Sequence, residues 1–253
     1  MSATLRSSLR GLFQRMGLDV RRHRPAPSLV SPLALYEVDA IFDIGANVGT
    51  SVAAFRAAGF DGQITSFEPL PHLFAELERR SRADPRWRAE QLALGASPGL
   101  AEMNVTAGPG YASSLLPMTD NVRTHAPDQP VVRAESVRVS TIDEVVKQHY
   151  PSGDRLFLKI DVQGYERRVL EGARATMPRI VGLRLELSLV ENYRGESLLV
   201  EMLPMLYALG FRAVAIETAW ANPTTRELFQ VDVTCFRTDR VDGKRLRSDP
   251  APA

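Results

Sequence analysis

At 253 residues, 44% hydrophobic and 24% charged, the chain is long enough to bury the core of a single α/β domain with a small extension. Its net charge of +1 argues against a dedicated nucleic-acid binder, which carries a strong basic excess, so DNA is not an expected partner. The single cysteine, Cys235, excludes a disulfide framework and a thiolate metal cluster. No apolar run is long enough to span a bilayer or to serve as a secretory h-region, which makes the cytoplasm the expected location.

The first segment differs from the rest. Residues 1–24 hold six arginines (6, 10, 15, 21, 22 and 24) against one acid, Asp19, while Leu5, Leu9, Leu12, Phe13 and Met16 share one helical face. Such a basic amphipathic helix either docks its apolar stripe on the domain or makes peripheral contact with an anionic membrane. With the proline-rich stretch 25–32 as linker, residues 1–33 form the extension, 34–238 the main domain and 239–253 a polar tail.

From Ala40 the pattern alternates. Strands are expected near 40–44, 63–68, 87–93, 155–162, 181–187, 211–217 and 229–236, and helices near 49–58, 70–83, 141–149, 164–176 and 195–209. This rhythm implies a mostly parallel sheet with helices on both faces. Only a loop, 219–228, separates the last two strands, so they should pair as an antiparallel hairpin. Residues 100–139 break the rhythm with strand-like runs at 102–106 and 131–139 around a long Gly, Pro and Ser-rich loop, the kind that is usually functional or disordered.

Within that frame the most informative stretch is IFDIGANVGT, residues 41–50. An apolar strand ends at Asp43, and Gly45, Asn47 and Gly49 bend the chain into a helix, a turn that brings backbone N–H groups up to a small ligand. Nineteen residues after Gly49, at the tip of the next strand, stands Glu68, placed to accept hydrogen bonds from both ribose hydroxyls. The ligand is therefore expected to carry adenosine. A dinucleotide site shows G-x-G-x-x-G; here the spacing is G-x-N-x-G with a carboxylate two residues before it. That carboxylate repels a pyrophosphate and attracts the ammonium and sulfonium of S-adenosylmethionine, directly or through water. An ordinary strand–helix turn with a capping Asp is the simpler alternative.

A second constellation follows in LFLKIDVQGYE, residues 156–166. Phe157, Lys159 and Asp161 share a strand face by period two, and Asp161 sits at the strand's C-terminal end, where open α/β sheets bind ligands. Glu166 falls in the first turn of the next helix, and Glu186 ends the strand GLRLELS. Three acids at neighbouring strand ends repel one another unless a cation, a cationic cofactor or Lys159 relieves them.

DIGANVGT, SFEPLP, LKIDVQGYE and LELS, in that order, resemble the FkbM-type methyltransferases over about residues 41–236. The resemblance implies a seven-stranded Rossmann-like class I fold and S-adenosylmethionine as methyl donor. It implies O-methylation of sugars or other hydroxylated natural products. On that resemblance Asp43, Gly45, Ala46, Asn47 and Gly49 surround the methionine part, Glu68 and Pro69 the ribose, Ala93 and Leu94 the adenine, and Asp161 faces the methionine end. The pair Ser113–Ser114 matches a serine pair common in the family.

A hydroxyl acceptor needs its proton removed or a metal bound to it. The candidates for that work are Asp161, Glu166, Glu186, Lys159 and His125, with Lys159 serving as a base only if burial lowers its pKa. A Mg²⁺ ion held by Asp161 and Glu186 is an open alternative, although no third ligand is evident. The acceptor is expected to be a small molecule or glycan, read by the 107–130 loop, by 219–228 with Trp220, and near Tyr165 and Tyr193. The competing readings are an N-methyltransferase on RNA or another amine, and a non-catalytic cofactor-binding protein. The chain lacks the Asn/Asp-Pro-Pro-aromatic box of amine methylation, and RNA would need the N-terminal arginines to supply a basic face.

Overall fold

The computed structural model describes residues 30–150, 153 and 155–237. The expected amphipathic helix at 1–24 and the tail from 239 lie outside the described residues. Helix α1 (Val30–Leu35) begins inside the stretch read as linker. It is followed by β1 (Ala40–Ile44), α2 (Thr50–Ala57), β2 (Gln63–Phe67), α3 (Pro71–Ser81), β3 (Trp87–Glu90), β4 (Ala93–Leu94) and β5 (Gly99–Thr106). The second half comprises α4 (Asp120–His125), β6 (Val131–Ser140), α5 (Ile142–His149), β7 (Leu156–Ile160), α6 (Glu166–Glu171), β8 (Ile180–Ser188), α7 (Leu199–Ala208), β9 (Phe211–Ala221) and β10 (Leu228–Arg237).

Seven strands form one sheet in the order β3-β2-β1-β7-β8-β10-β9. Every neighbouring pair from β3 to β8 is parallel, and β10 runs antiparallel to both β8 and β9, as the short connection between the last strands predicts. The fold is the seven-stranded, mostly parallel class I methyltransferase architecture. Chain order runs outward from β1 in one direction through β2 and β3, and from β7 to β8 in the other, with the final hairpin placing β10 inside β9. The crevice between β1 and β7 is therefore the topological switch point, where open α/β sheets bind ligands.

Strands buried on both faces need no polar alternation, and β1 is buried at all five positions. Ile41 packs with Leu33 of α1, Val52 and Phe55 of α2, Phe157 and Phe236. Phe42 and Ile44 turn the other way, to Leu158, Ile160 and Leu185 and to residues of α5, α6 and α7. Helix α5 starts where Thr141 Oγ1 accepts from Glu144 N at 3.1 Å, a side-chain N-cap. Cys235 is fully buried among the apolar residues, and burial pushes its thiol up to about 11, as an inert core thiol requires.

The structure departs from the expected elements in three places. The strand read at 87–93 is two strands: β3 stays in the main sheet, whereas Ala93 and Leu94 leave it to pair with β6. They do so because a separate small sheet, β4-β6-β5, builds its own core from Leu70, Leu73, Ala93, Val105 and Val137. The helix read at 164–176 stops at Glu171, because Gly172 lies against the backbone of Gly95, where a Cβ would stand 2.0 Å from the carbonyl oxygen. The 107–130 loop contains α4, whose Val122 is buried with Met118 and Tyr193. No helix among the described residues is long and apolar enough to cross a membrane.

Candidate active site

The glycine turn is built by close backbone approach. Gly45 has φ 75°, and a Cβ there would stand 1.8 Å from the carbonyl oxygen of Asp161, so the first turn and the end of β7 touch through their main chains. Gly45 N and Ala46 N both donate to Phe67 O, at 3.1 and 3.0 Å, binding the turn to β2. Asn47 takes a left-handed φ of 50°, which Asn tolerates. Its amide nitrogen donates to Pro109 O at 2.9 Å and so ties the turn to the long loop. Gly49 serves packing: a Cβ there would stand 2.6 Å from the Trp87 ring.

Asp43 lies beneath the turn, fully buried, and does not line the cavity. Its Oδ2 accepts from Ser66 Oγ at 3.3 Å, and that hydroxyl in turn accepts from Trp87 Nε1 at 2.9 Å. Asp43 Oδ1 is 3.4 Å from Lys159 Nζ, which also stands 3.3 Å from Asp161 Oδ2 and donates to Gly45 O at 3.2 Å. Burial alone would lower the pKa of Lys159, but Asp161 and Asp43 outweigh it and hold the ammonium above its ordinary value. Lys159 is thus a charged tie between two acids, in the wrong protonation state for a base. Burial likewise pushes Asp43 up, against the pull of Lys159. The direct attraction expected between Asp43 and a cationic ligand is therefore spent on Lys159 instead.

Glu68 ends β2 at the cavity wall. Its two oxygens accept from Leu70 N at 2.9 Å and Asn47 N at 3.0 Å, which fixes the carboxyl plane. Burial raises its pKa to about 7 despite those two donors.

The cavity itself, about 270 Å³, opens at the switch point. Near Glu68 its wall is apolar, with Leu70, Leu73, Leu92, Ala93, Leu94 and Met103. Across the sheet, at the ends of β7 and β8, the wall is polar: Asp161, Gln163 and Glu186. One amide nitrogen joins all three, since Gln163 Nε2 donates to Asp161 Oδ1 at 2.9 Å and to Glu186 Oε2 at 2.6 Å. Gln163 Oε1 accepts from Tyr193 OH at 2.8 Å, and Gln230 Nε2 adds a second donor to Glu186 Oε2 at 2.9 Å. Burial, then the charge of Asp161, pushes the Glu186 carboxyl well above the ordinary range.

Of the residues singled out from sequence, Gly45, Asn47, Glu68, Pro69, Ala93, Leu94, Asp161 and Glu186 meet in one lining; Asp43, Ala46, Gly49 and Lys159 form the layer behind it. Two candidates are placed elsewhere. Glu166 is buried off the cavity, with Oε1 accepting from Val162 N at 3.1 Å and Gly164 N at 3.3 Å; it shapes the turn after β7. His125 is held by Asn121 O at 3.0 Å and packs on Phe229, ring centroids 4.7 Å apart. Trp220 is half-buried, packed edge-on against the same Phe229 and off the cavity lining, and Tyr193 is buried behind Gln163. Tyr165 does reach the lining, beside the exposed Tyr111 of the long loop.

The serine pair has a clear structural task. Ser113 Oγ accepts from Thr106 N at 3.0 Å, and Ser114 Oγ donates to Gln163 O at 2.7 Å while accepting from Leu116 N at 3.0 Å. A metal between Asp161 and Glu186 does not fit, because a donor amide already bridges them. Among the described residues no group of three or more His, Cys, Asp or Glu side chains is arranged to hold one.

Residues 43–213 match the methyltransferase FkbM domain. The chain belongs to that family. The match starts at the buried Asp43 and ends inside β9, so this FkbM-family methyltransferase carries its family signature across the whole cavity wall. No curated protein matches the chain. Solved structures similar to it include an rRNA methylase from Streptococcus thermophilus (10% identity, TM-score 0.44, 85% of this chain and 99% of that one). Another is the magnesium protoporphyrin IX methyltransferase of Synechocystis PCC 6803 with bound SAM (10%, 0.43, 92% and 96%). A third is the fibrillarin of Aeropyrum pernix with natively bound S-adenosyl-L-methionine (14%, 0.43, 82% and 72%). At these scores none of the three bears on what this enzyme acts on.

Proposed function

We propose that this FkbM-family enzyme transfers a methyl group from S-adenosylmethionine to a hydroxyl of a sugar or another hydroxylated small molecule. The observation that carries the reading is the polarity of one continuous cavity wall. The wall is apolar beside a single ribose-reading acid, and it is lined by carboxyls and an amide two and three strands away, where the acceptor meets the methyl group. Glu68 and Pro69 take the ribose, and Ala93 and Leu94 with the leucines around them take the adenine face. Gly45 and Asn47 line the methionine part, braced from behind by Asp43, Ala46, Gly49 and Lys159. Asp161 puts negative charge at the sulfonium end and repels a pyrophosphate, which supports this donor over a nicotinamide dinucleotide. The donor supplies an activated methyl group; the protein's share is alignment and exclusion of water. Oxygen and amide groups at that end suit hydroxyls, which both donate and accept hydrogen bonds.

Incubation with methyl-deuterated S-adenosylmethionine and a panel of sugars, glycosylated metabolites, amines and RNA, read by mass spectrometry, tests the proposal. The expected label is an O-linked CD₃ on a hydroxylated acceptor. Label confined to nitrogen would establish the N-methyltransferase reading instead, and cofactor binding without any labelled product would favour a non-catalytic role.

A further inference from the structure

Five side chains were candidates for taking the proton of an acceptor hydroxyl, and the geometry removes four. Lys159 is held as a cation by two acids, Glu166 is committed to two backbone N–H groups, and His125 is packed on Phe229 off the cavity. Asp161 lines the cavity with both oxygens engaged, Oδ1 by the Gln163 amide and Oδ2 by Lys159. Glu186 differs. Both of its bonds, from Gln163 and Gln230, fall on Oε2, so Oε1 has no partner among the described residues on a side chain that lines the cavity.

Glu186 also has no cation. Around it stand Asp161 just past β7, Glu166 on α6, Asp232 on β10 and Tyr193 on the loop before α7, with Glu196 beside Tyr193, none of them positive. The two nearby cations are taken: Lys159 by Asp43 and Asp161, and Arg184 by Glu217 at 2.7 Å and Asp232 at 2.9 Å. A carboxyl so placed keeps its proton until positive charge arrives in the cavity.

We propose that Glu186 is the catalytic base of the transfer, that Gln163 and Gln230 are its positioning residues, and that the positive sulfur of the bound donor is the cation that ionises it. The role as base rests on the hydroxyl-acceptor reading above; the ionisation does not. As the acceptor oxygen forms its bond to the methyl carbon, the carbon–sulfur bond breaks and leaves its pair on sulfur. The hydroxyl proton passes to Glu186 Oε1, and its bonding pair stays on oxygen. Sulfur is then neutral, the environment in which Glu186 again holds a proton, so base strength and donor charge change together.

The first arm of the test needs no acceptor; the transfer rates use the hydroxylated acceptor found with the labelled donor. Calorimetric titration of the purified protein at pH 8 in phosphate and in Tris, whose ionisation enthalpies differ, counts protons released on binding. S-adenosylmethionine and S-adenosylhomocysteine share ribose, ammonium and carboxylate, so the difference between them isolates the sulfonium. The wild type is expected to release up to one proton more with the methylated form. In Glu186→Gln that difference should vanish, with affinity for S-adenosylhomocysteine kept within threefold and transfer lowered about 100-fold or more. Gln163→Leu and Gln230→Leu should move the pH midpoint of transfer upward, since each removes a donor that favours the carboxylate. An equal proton difference in Glu186→Gln and wild type overturns the assignment. No difference in the wild type, with hydroxyl methylation intact, overturns it and leaves the proposed function standing; no binding of either compound ends the proposed function itself. If Glu186→Gln does not fold, unchanged pH midpoints in both glutamine variants overturn it equally.

Discussion

Replacing Lys159 with Met is the sharpest probe of how the site is held together. The side chain keeps its apolar stem and loses a charge that touches Asp43 Oδ1 at 3.4 Å, Asp161 Oδ2 at 3.3 Å and Gly45 O at 3.2 Å. Asp43 is 0% exposed, and its Oδ1 has no hydrogen-bond partner, so it depends on that ammonium alone. Removing one member of a buried pair costs about 3–5 kcal/mol, because the other is left as an uncompensated charge. The contact to Asp161, whose side chain is about a third exposed, adds little after solvent screening. For a domain of this size the loss corresponds to roughly 6–20 °C in Tm. The sign of the pH dependence follows. Without Lys159, Asp43 escapes the penalty by keeping a proton, so its folded pKa rises further above the unfolded value near 3.9. The native variant then binds more protons than the unfolded chain over that window, and its stability falls as pH rises through it. Urea unfolding at pH 5 and pH 8 should therefore show the larger deficit at pH 8, and Asp43→Asn added to Lys159→Met should recover part of it. A deficit under 1 kcal/mol at both pH values would mean that water reaches the pair and that the buried-tie account is wrong.

The Glu68 carboxyl, raised to about 7, must ionise to accept two ribose hydroxyls. Affinity for S-adenosylhomocysteine should accordingly climb from pH 6 to pH 8 with a midpoint near 7, and a flat profile contradicts this. Glu68→Gln should weaken that affinity roughly 10- to 100-fold, the worth of a charged hydrogen bond, and remove the pH dependence. Gly45→Ala places a methyl 1.8 Å from Asp161 O on a backbone with φ 75°. The left-handed backbone alone costs about 1–2 kcal/mol, and the displaced end of β7 should abolish cofactor binding; retained binding by calorimetry would refute the close approach. Ser114→Ala deletes the bonds to Gln163 O and Leu116 N and should lower stability by about 1–2 kcal/mol. Amide exchange should quicken across residues 112–118, and unchanged exchange there would show that the serine does not pin the loop.

Legibility in the sequence followed sequence distance. The sheet was readable because each strand is a short apolar run whose period and flanking turns are local, and the reversal of the last strand follows from a six-residue connection, Asn222–Glu227. The split of 87–93 was not, because it depends on a second core assembled from β4, β5 and β6, up to 47 residues apart. At the site, strand-end carboxylates announced themselves at Asp161 and Glu186. Gln163 did not, although it stands inside the motif LFLKIDVQGYE. A glutamine carries no charge to notice, and its importance comes from a left-handed φ of 54° that turns its amide back between two acids. Gln230 was hidden for another reason: it joins Glu186 only through antiparallel pairing with a strand 44 residues away. Asp43 was found, with Lys159 among the groups that could relieve it; which of them does so depends on the parallel register of β1 and β7, which sets the two side by side.

A crystal structure with S-adenosylhomocysteine bound tests the central claim most directly. The account predicts ribose hydroxyls on Glu68, the purine between Leu70, Ala93 and Leu94, and sulfur beside Asp161, Gln163 and Glu186, with Asp43 still hidden beneath Gly45. A ligand bound in the opposite sense, with adenine against Glu186, or seated away from the crevice between β1 and β7, would contradict it.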